Sequence, residues 1–359
     1  MIHGARSFLY LSTFYIEHDA YGIELISALQ QAAARGVEVN LLIDGYGQRL
    51  GGAQMSRKQR GTLSRCLDAL TDAGAVVQTY QPRHRLQRWL GGGQHVKMQV
   101  SEEGEAIFGS SNITKASFEG WNEYAVALRG PVVRTLLESY RDIGGTVATE
   151  HLGRLHAKGA HADIPLDYWF ENPNLRHGRL GPIGWQGPNE VTARLVEMIA
   201  SAQREVLISS FYFKPCDALA RALLDAARRG VHIEIHHSHR DALPATDLAW
   251  VAAAVSYAPL LDAGVEIYEG LHGEHSKVVL VDGNWAAFGS YNFEDAAHDR
   301  LAEAMLASRD PRAVEPARAM FEVLRAQADN LLVTAASFRR LPAPLKARVA
   351  RYGRFKWWL

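Results

Sequence analysis

Two stretches of the chain carry the same polar residues in the same order at the same spacings. The first reads His95-Val96-Lys97, then Glu102, then Gly109-Ser110-Ser111-Asn112; the second reads His275-Ser276-Lys277, then Asp282, then Gly289-Ser290-Tyr291-Asn292. In both, lysine follows histidine by two positions, glycine follows the acid by seven and asparagine follows serine by two. One His-x-Lys alone carries almost no information, because histidine on a half-buried strand is usually structural and lysine usually solvated. Two copies in register restrict the chain to a duplicated fold whose halves present the same side chains.

The surrounding sequence repeats with the motifs. Leu11-Ser12-Thr13-Phe14-Tyr15-Ile16 is echoed by Ile208-Ser209-Ser210-Phe211-Tyr212-Phe213. Asp19 and Asp217 then stand where a helix N-cap is expected, ahead of apolar residues at helical spacing (Ile23, Ile26, Leu29; Leu219, Leu223, Ala226). Gly36 and Gly230 close these helices before the β-rich runs Val37 to Ile43 and Val231 to Ile235. Leu70 to Gly74 before Ala75 to Tyr80 matches Leu261 to Gly264 before Val265 to Tyr268. Strand, helix, strand, helix, strand, twice, predicts two α/β halves with largely parallel central sheets. This places Phe8 to Ile16 on a buried strand rather than in a leader peptide. The segment Glu190 to Ala202 has no counterpart in the first half, so the N-terminal half is expected to be truncated at its start.

The motif residues suit one chemistry. On a strand, residues two apart project to one face, so the histidine and lysine of each motif converge. Gly-Ser-x-Asn adds backbone approach and neutral donors for an anion. Facing halves would surround one phosphorus with His95, His275, Lys97, Lys277, Ser110, Ser290, Asn112 and Asn292. Two lysines can neutralise the oxyanions that a metal would otherwise hold, so the expected site uses no metal and no cofactor.

The doubled pattern resembles that of the phospholipase D superfamily, H-x-K-x4-D-x6-G-S-x-N, and motifs and repeat together span nearly the whole chain. The second copy matches throughout; the first has Glu102 in place of the aspartate, and both acids, Glu102 and Asp282, are assigned turn or structural hydrogen-bonding roles. Glu123 and Glu303, each eleven residues after the motif asparagine, match acids that in similar proteins bond the far nitrogen of the active histidine. Leu301 replaces the asparagine often found two residues ahead of that acid. Leu42 to Gly47 and Glu123 to Pro131 look most like bacterial cardiolipin synthases. The resemblance implies an α/β, duplicated phospholipase D-type fold with the active site between halves packed about a pseudo-two-fold. It also implies phosphatidyl transfer through a phosphohistidine, with phosphatidylglycerol as donor and acceptor and His95 as nucleophile. Peripheral attachment to the cytoplasmic face of a bacterial inner membrane goes with it. Hydrolysis of phospholipid or nucleic acid by the same machinery stays open, as does an inactive lipid-binding protein.

Composition narrows the rest. Lys plus Arg and Asp plus Glu are both 39, so overall charge does not favour coating nucleic acid. Cys66 and Cys216 are the two cysteines and suggest neither a disulfide framework nor a zinc site. Leu248 to Leu261 reads as one core helix, and Met98, Phe108, Trp285 and Phe288 as core. The expected division is residues 1–150, a linker over 151–188, residues 189–330, and a basic aromatic tail over 331–359. The linker is expected to run over the surface, with His151, His156, His161 and His177 as solvated residues rather than metal ligands. From Phe338 on, Arg339, Arg340, Lys346, Arg348, Arg351, Arg354 and Lys356 occur with no acid, ahead of Trp357-Trp358-Leu359. That tail is expected to dock on an anionic membrane.

Overall fold

A computed structural model describes residues 1–158, 163–175, 180–181, 184–185, 187–243 and 247–352. Each half is built on six strands in one order. Across the first sheet they run Val76–Tyr80, Glu38–Asp44, Phe8–Thr13, Lys97–Ser101, Glu105–Gly109 and Ala125–Arg129. The matching strands of the second are Glu266–Gly270, His232–Ser238, Glu205–Ser210, Val278–Val281, Trp285–Gly289 and Leu301–Ser308. The duplication read from the sequence is therefore a duplication of topology.

The sheets are mixed rather than largely parallel. The first three strands of each half pair in parallel, because helices such as Ala20–Ala34 and Asp217–Arg228 carry the chain back between them. The motif strands pair antiparallel on both sides: tight turns join them to Glu105–Gly109 and Trp285–Gly289, whereas long connections bring them beside Phe8–Thr13 and Glu205–Ser210. At one of those turns Asp282 takes a positive φ of 51°, and its carboxylate accepts the backbone N–H groups of Gln203, Arg204 and Glu205. Glu102 does the same work in the first half, buried and accepting from the Arg6 N–H.

Asp19 caps its helix by accepting from the Gly22 N–H at 2.9 Å. Asp217 does not: Cys216 holds the N-cap position and Asp217 begins the helix, where its charge still favours the positive end of the dipole. Gly36 and Gly230 follow their helices at φ 87° and 84°, conformations that L side chains rarely adopt. Leu248 to Leu261 is two helices, Leu248–Ala254 and Tyr257–Asp262, rather than one.

An apolar layer joins the halves. Phe8, Met98, Val100 and Phe108 of the first belong to the same buried cluster as Leu207, Leu280, Phe288 and Phe321 of the second. Met98, Phe108, Phe288 and Trp285 are all buried, as expected of core. Each such side chain contributes roughly 1.5–3 kcal/mol on burial, so the halves hold one another at fixed distance.

The segment expected to be a surface linker is partly structural. It contains the helix Thr149–Lys158 and the strand Asp167–Glu171, which pairs with Leu301–Ser308. Three consecutive aromatics pack on both faces of this strand, Trp169 buried in the second half's core and Tyr168 and Phe170 against the layer that joins the halves. His151 is also buried rather than solvated, with its Nδ1 2.8 Å from the Tyr10 hydroxyl. The side chain of His156, and residues His161 and His177, lie outside the described residues.

Candidate active site

The motif histidines stand just ahead of their strands, which begin at Lys97 and Val278, rather than within them. Each is pinned by its backbone to the opposite half. His95 N–H donates to the Ala302 carbonyl and His275 N–H to the Asn122 carbonyl, both at 2.8 Å. Ala302 and Asn122 immediately precede Glu303 and Glu123, so this backbone exchange delivers each histidine to the other half's glutamate. His95 Nδ1 lies 3.0 Å from Glu303 Oε1, and His275 Nδ1 lies 2.8 Å from Glu123 Oε1. The two carboxylates are thus crossed between halves.

Lys97 and Lys277 are almost fully buried and fold back so that each Nζ donates to the carbonyl of its own motif histidine. Ammonium and imidazole therefore lie on one side of each motif. The serines serve the carboxylates rather than an open anion position: Ser110 Oγ donates to Glu123 and Ser290 Oγ to Glu303. Asn112 and Asn292 are buried, and the Oδ1 of each has no hydrogen-bond partner within the protein. Buried amide oxygens left unpaired are costly unless a substrate completes them.

Electrostatics separates the two otherwise similar half-sites. His95 Nδ1 is 3.0 Å from the Ser290 carbonyl as well as from Glu303. A backbone carbonyl only accepts, so Nδ1 carries the proton and Nε2 keeps a free lone pair. Burial, with Lys97 and Lys277, holds the His95 imidazolium well below its usual range. Burial also pushes the Glu303 carboxyl up, against the pull of Lys97 and Ser290, so this pair tends towards neutrality. At the other pair burial raises the Glu123 carboxyl, but His275, Lys277 and the Ser110 hydroxyl together outweigh it and leave it ionised. His275 is lowered by burial to about 4, with Glu123 opposing the fall. Lys277 is lowered by burial to about 8, with Glu123 and Glu303 opposing. A monoanionic phosphodiester would favour the charged forms of the lysines and of His275 together.

Aromatic rings not singled out from the sequence wall this site. Phe14 meets the His95 ring edge-on at 4.7 Å between centroids and Phe211 meets His275 at 4.6 Å. The same two rings lie 5.5 Å and 5.8 Å from Lys97 and Lys277 Nζ. Their signal in the sequence is the repeated Phe-Tyr pair, Phe14-Tyr15 and Phe211-Tyr212, which follows the first strand of each half. Trp121 stacks on His275 at 4.9 Å, and Gly273 at φ 103° permits it, since a Cβ there would sit 2.3 Å from the indole.

A duplicated α/β fold with paired His-x-Lys motifs, crossed carboxylates and two buried lysines defines a phospholipase D-type centre. Residues 1–143 and 195–325 match the family model described as cardiolipin synthase, PLD-like domain. The chain is 30% identical over 305 residues to cardiolipin synthase B of Shigella flexneri, covering 81% of this chain and 68% of the relative. It is 28% identical over 329 residues to cardiolipin synthase A of Pseudomonas aeruginosa (strain LESB58), covering 89% and 62%. A solved phosphatidylserine synthase of Haemophilus influenzae Rd KW20 shares the fold with a TM-score of 0.69 at 16% identity, over 99% of this chain and 89% of that one. The chain belongs to the cardiolipin synthase, PLD-like domain family.

Proposed function

We propose that this protein transfers a phosphatidyl group between phospholipids, with phosphatidylglycerol as donor and acceptor and cardiolipin and glycerol as products. The observation that carries the reading is the pair of crossed imidazole–carboxylate contacts beside two buried lysines. Similarity to cardiolipin synthases supports the choice of lipid. In the first step His95 Nε2 forms a bond to phosphorus while the bond to the leaving glycerol oxygen breaks, and that oxygen takes the proton of His275. In the second step His275 takes the proton of the acceptor hydroxyl, whose oxygen forms the new bond to phosphorus as the bond to His95 breaks. Lys97 and Lys277 neutralise the equatorial oxygens throughout, while the unpaired Oδ1 atoms of Asn112 and Asn292 can accept from a substrate hydroxyl.

The test is product analysis by mass spectrometry with phosphatidylglycerol vesicles, with and without EDTA. Cardiolipin and glycerol are expected at rates unchanged by the chelator, because the lysines supply the cationic charge. Phosphatidic acid as the main product would assign water as acceptor, and loss of turnover in EDTA would overturn the metal-free mechanism.

Among the described residues no helix is long and apolar enough to cross a membrane, and we propose peripheral attachment to the cytoplasmic face of the inner membrane. The tail supports this through charge, with Arg339, Arg340, Lys346 and Arg351 exposed. Its apolar stripe, however, is committed to the body: Leu345 packs with Trp250, Val251 and Ala254, and Arg348 pairs with Asp247 at 2.7 Å. Residues 353–359 lie outside the described residues. Deleting the tail would therefore uncover Trp250 and confuse attachment with stability. Replacing Arg339, Arg340, Lys346 and Arg351 by glutamine isolates charge, at about 1 kcal/mol per residue near the surface. Sedimentation with phosphatidylglycerol vesicles should weaken at low salt and converge with wild type at high salt. Equal binding at low salt would remove the tail's role.

A further inference from the structure

The segment leading into His95 folds the wrong way round for a water-exposed turn. In the short helix Arg85–Trp89, Leu86 and Trp89 are three positions apart and so share a face. They are 45% and 72% exposed, whereas the polar Gln87 between them is buried at 8%. Arg83, His84 and Arg85 are exposed beside them, and no Asp or Glu occurs between Asp72 and Glu102. A turn that hides its glutamine and presents leucine and tryptophan among arginines is suited to a surface with apolar depth and negative charge.

This turn is tied to the catalytic centre by a short chain of contacts. Arg49 donates to the Arg88 carbonyl at 2.8 Å and lies over the Tyr46 ring at 5.6 Å. Gly91 approaches the same tyrosine, Tyr46 lies 6.5 Å from Phe14, and Phe14 meets His95. Gly93-Gln94, directly before His95, pairs with Leu301-Ala302 of the other half.

We infer that the Arg83–Trp89 rim is a membrane-docking surface that inserts Leu86 and Trp89 into an anionic bilayer and so sets the catalytic cleft against its lipid substrate. The inference rests on the phospholipid reading above. It differs from the contribution of the tail's exposed basic residues, which is electrostatic. Tryptophan favours the interfacial layer, leucine the acyl chains below it, and the arginines the phosphates above. Apolar insertion persists when salt screens the tail, so the rim dominates attachment at high ionic strength.

The test compares wild type with the Leu86→Ser/Trp89→Ser double variant on phosphatidylglycerol vesicles at high salt, and on a soluble short-chain phosphodiester. Partition to vesicles, and turnover of vesicle lipid with it, should fall roughly tenfold or more. Turnover of the soluble diester should stay within about twofold, because both side chains are exposed and neither belongs to the paired motifs. As a second measurement, brominated phosphatidylglycerol should quench tryptophan emission of wild type, and Trp89→Phe should remove part of that quenching. Unchanged partition in the double variant, or unchanged quenching in Trp89→Phe, overturns the inference and leaves this face to another partner. Failure of wild type to turn over either phosphodiester would instead count against the catalytic reading, so the two failures are distinguishable.

Discussion

His95→Ala and His275→Ala should each lower turnover of phosphatidylglycerol by roughly 10³-fold or more, since one removes the nucleophile and the other the proton donor. Neither change should unfold the protein. Both rings are buried, but they line the cleft between aromatic walls instead of filling the apolar layer that joins the halves. The melting temperature should therefore move little while activity collapses. Single-turnover trapping then separates the roles. In His275→Ala the covalent step can still begin, because His95 keeps its Nδ1 contacts to Ser290 and Glu303 and its free Nε2. A phosphohistidine on His95 should accumulate with a donor whose leaving group needs no protonation. A phosphohistidine on His275 in the His95→Ala variant, with none in the reverse case, would exchange the two assignments. Near wild-type turnover in either variant would remove the mechanism.

The motif residues were legible because the chain states them twice in register, and repetition is a sequence property. What joins them was not. Spacing within one half says nothing about which histidine meets which glutamate; the crossing of His95 to Glu303 and His275 to Glu123 follows from the two inter-half backbone bonds. Ser110 and Ser290 looked like phosphate donors by composition, yet their hydroxyls are used by the carboxylates that arrive thirteen residues later in the chain. Mixed strand directions were hidden for a related reason. Helical connections advertise themselves by period and length, whereas the antiparallel hairpins after Ser101 and Val281 are three-residue turns with little pattern of their own. The strand Asp167–Glu171 sits in a stretch of Gly, Pro, His and Asn, which reads as loop by composition despite the aromatic run Tyr168 to Phe170. Its tertiary partner, Leu301–Ser308, decides otherwise. In the tail the apolar stripe was visible, but not whether protein or lipid would cover it; Trp250 and Asp247 settle this for Leu345 and Arg348.

Glu123→Gln should cost roughly 10²- to 10⁴-fold in kcat, and Glu303→Gln markedly less, about tenfold. The two acids occupy equivalent positions, so the difference comes from their charge. His275, Lys277 and Ser110 outweigh burial and keep Glu123 ionised, whereas burial dominates at Glu303 and favours its protonated form. Glutamine is close to isosteric with both, but it removes a charge only from the first pair. Without that charge the His275 imidazolium loses its counterion and the leaving oxygen loses its proton donor. The same asymmetry governs how anion binding depends on pH. In the free protein His275 gives up its proton near pH 4. A bound phosphate-like anion such as vanadate, together with Glu123, raises that value in the complex. Between the two values binding takes up a proton, so affinity should fall as pH rises, by up to about tenfold per unit. In Glu123→Gln both values fall, because Glu123 supports the imidazolium with and without the anion, so the window moves below pH 4 and the slope above it flattens; in Glu303→Gln the slope should persist. Isothermal titration across this range, in two buffers of different ionisation enthalpy, reads the proton uptake directly. A slope lost in Glu303→Gln but kept in Glu123→Gln would mean that His95 rather than His275 holds the transferable proton, and anion affinity that rises with pH would overturn proton uptake on binding.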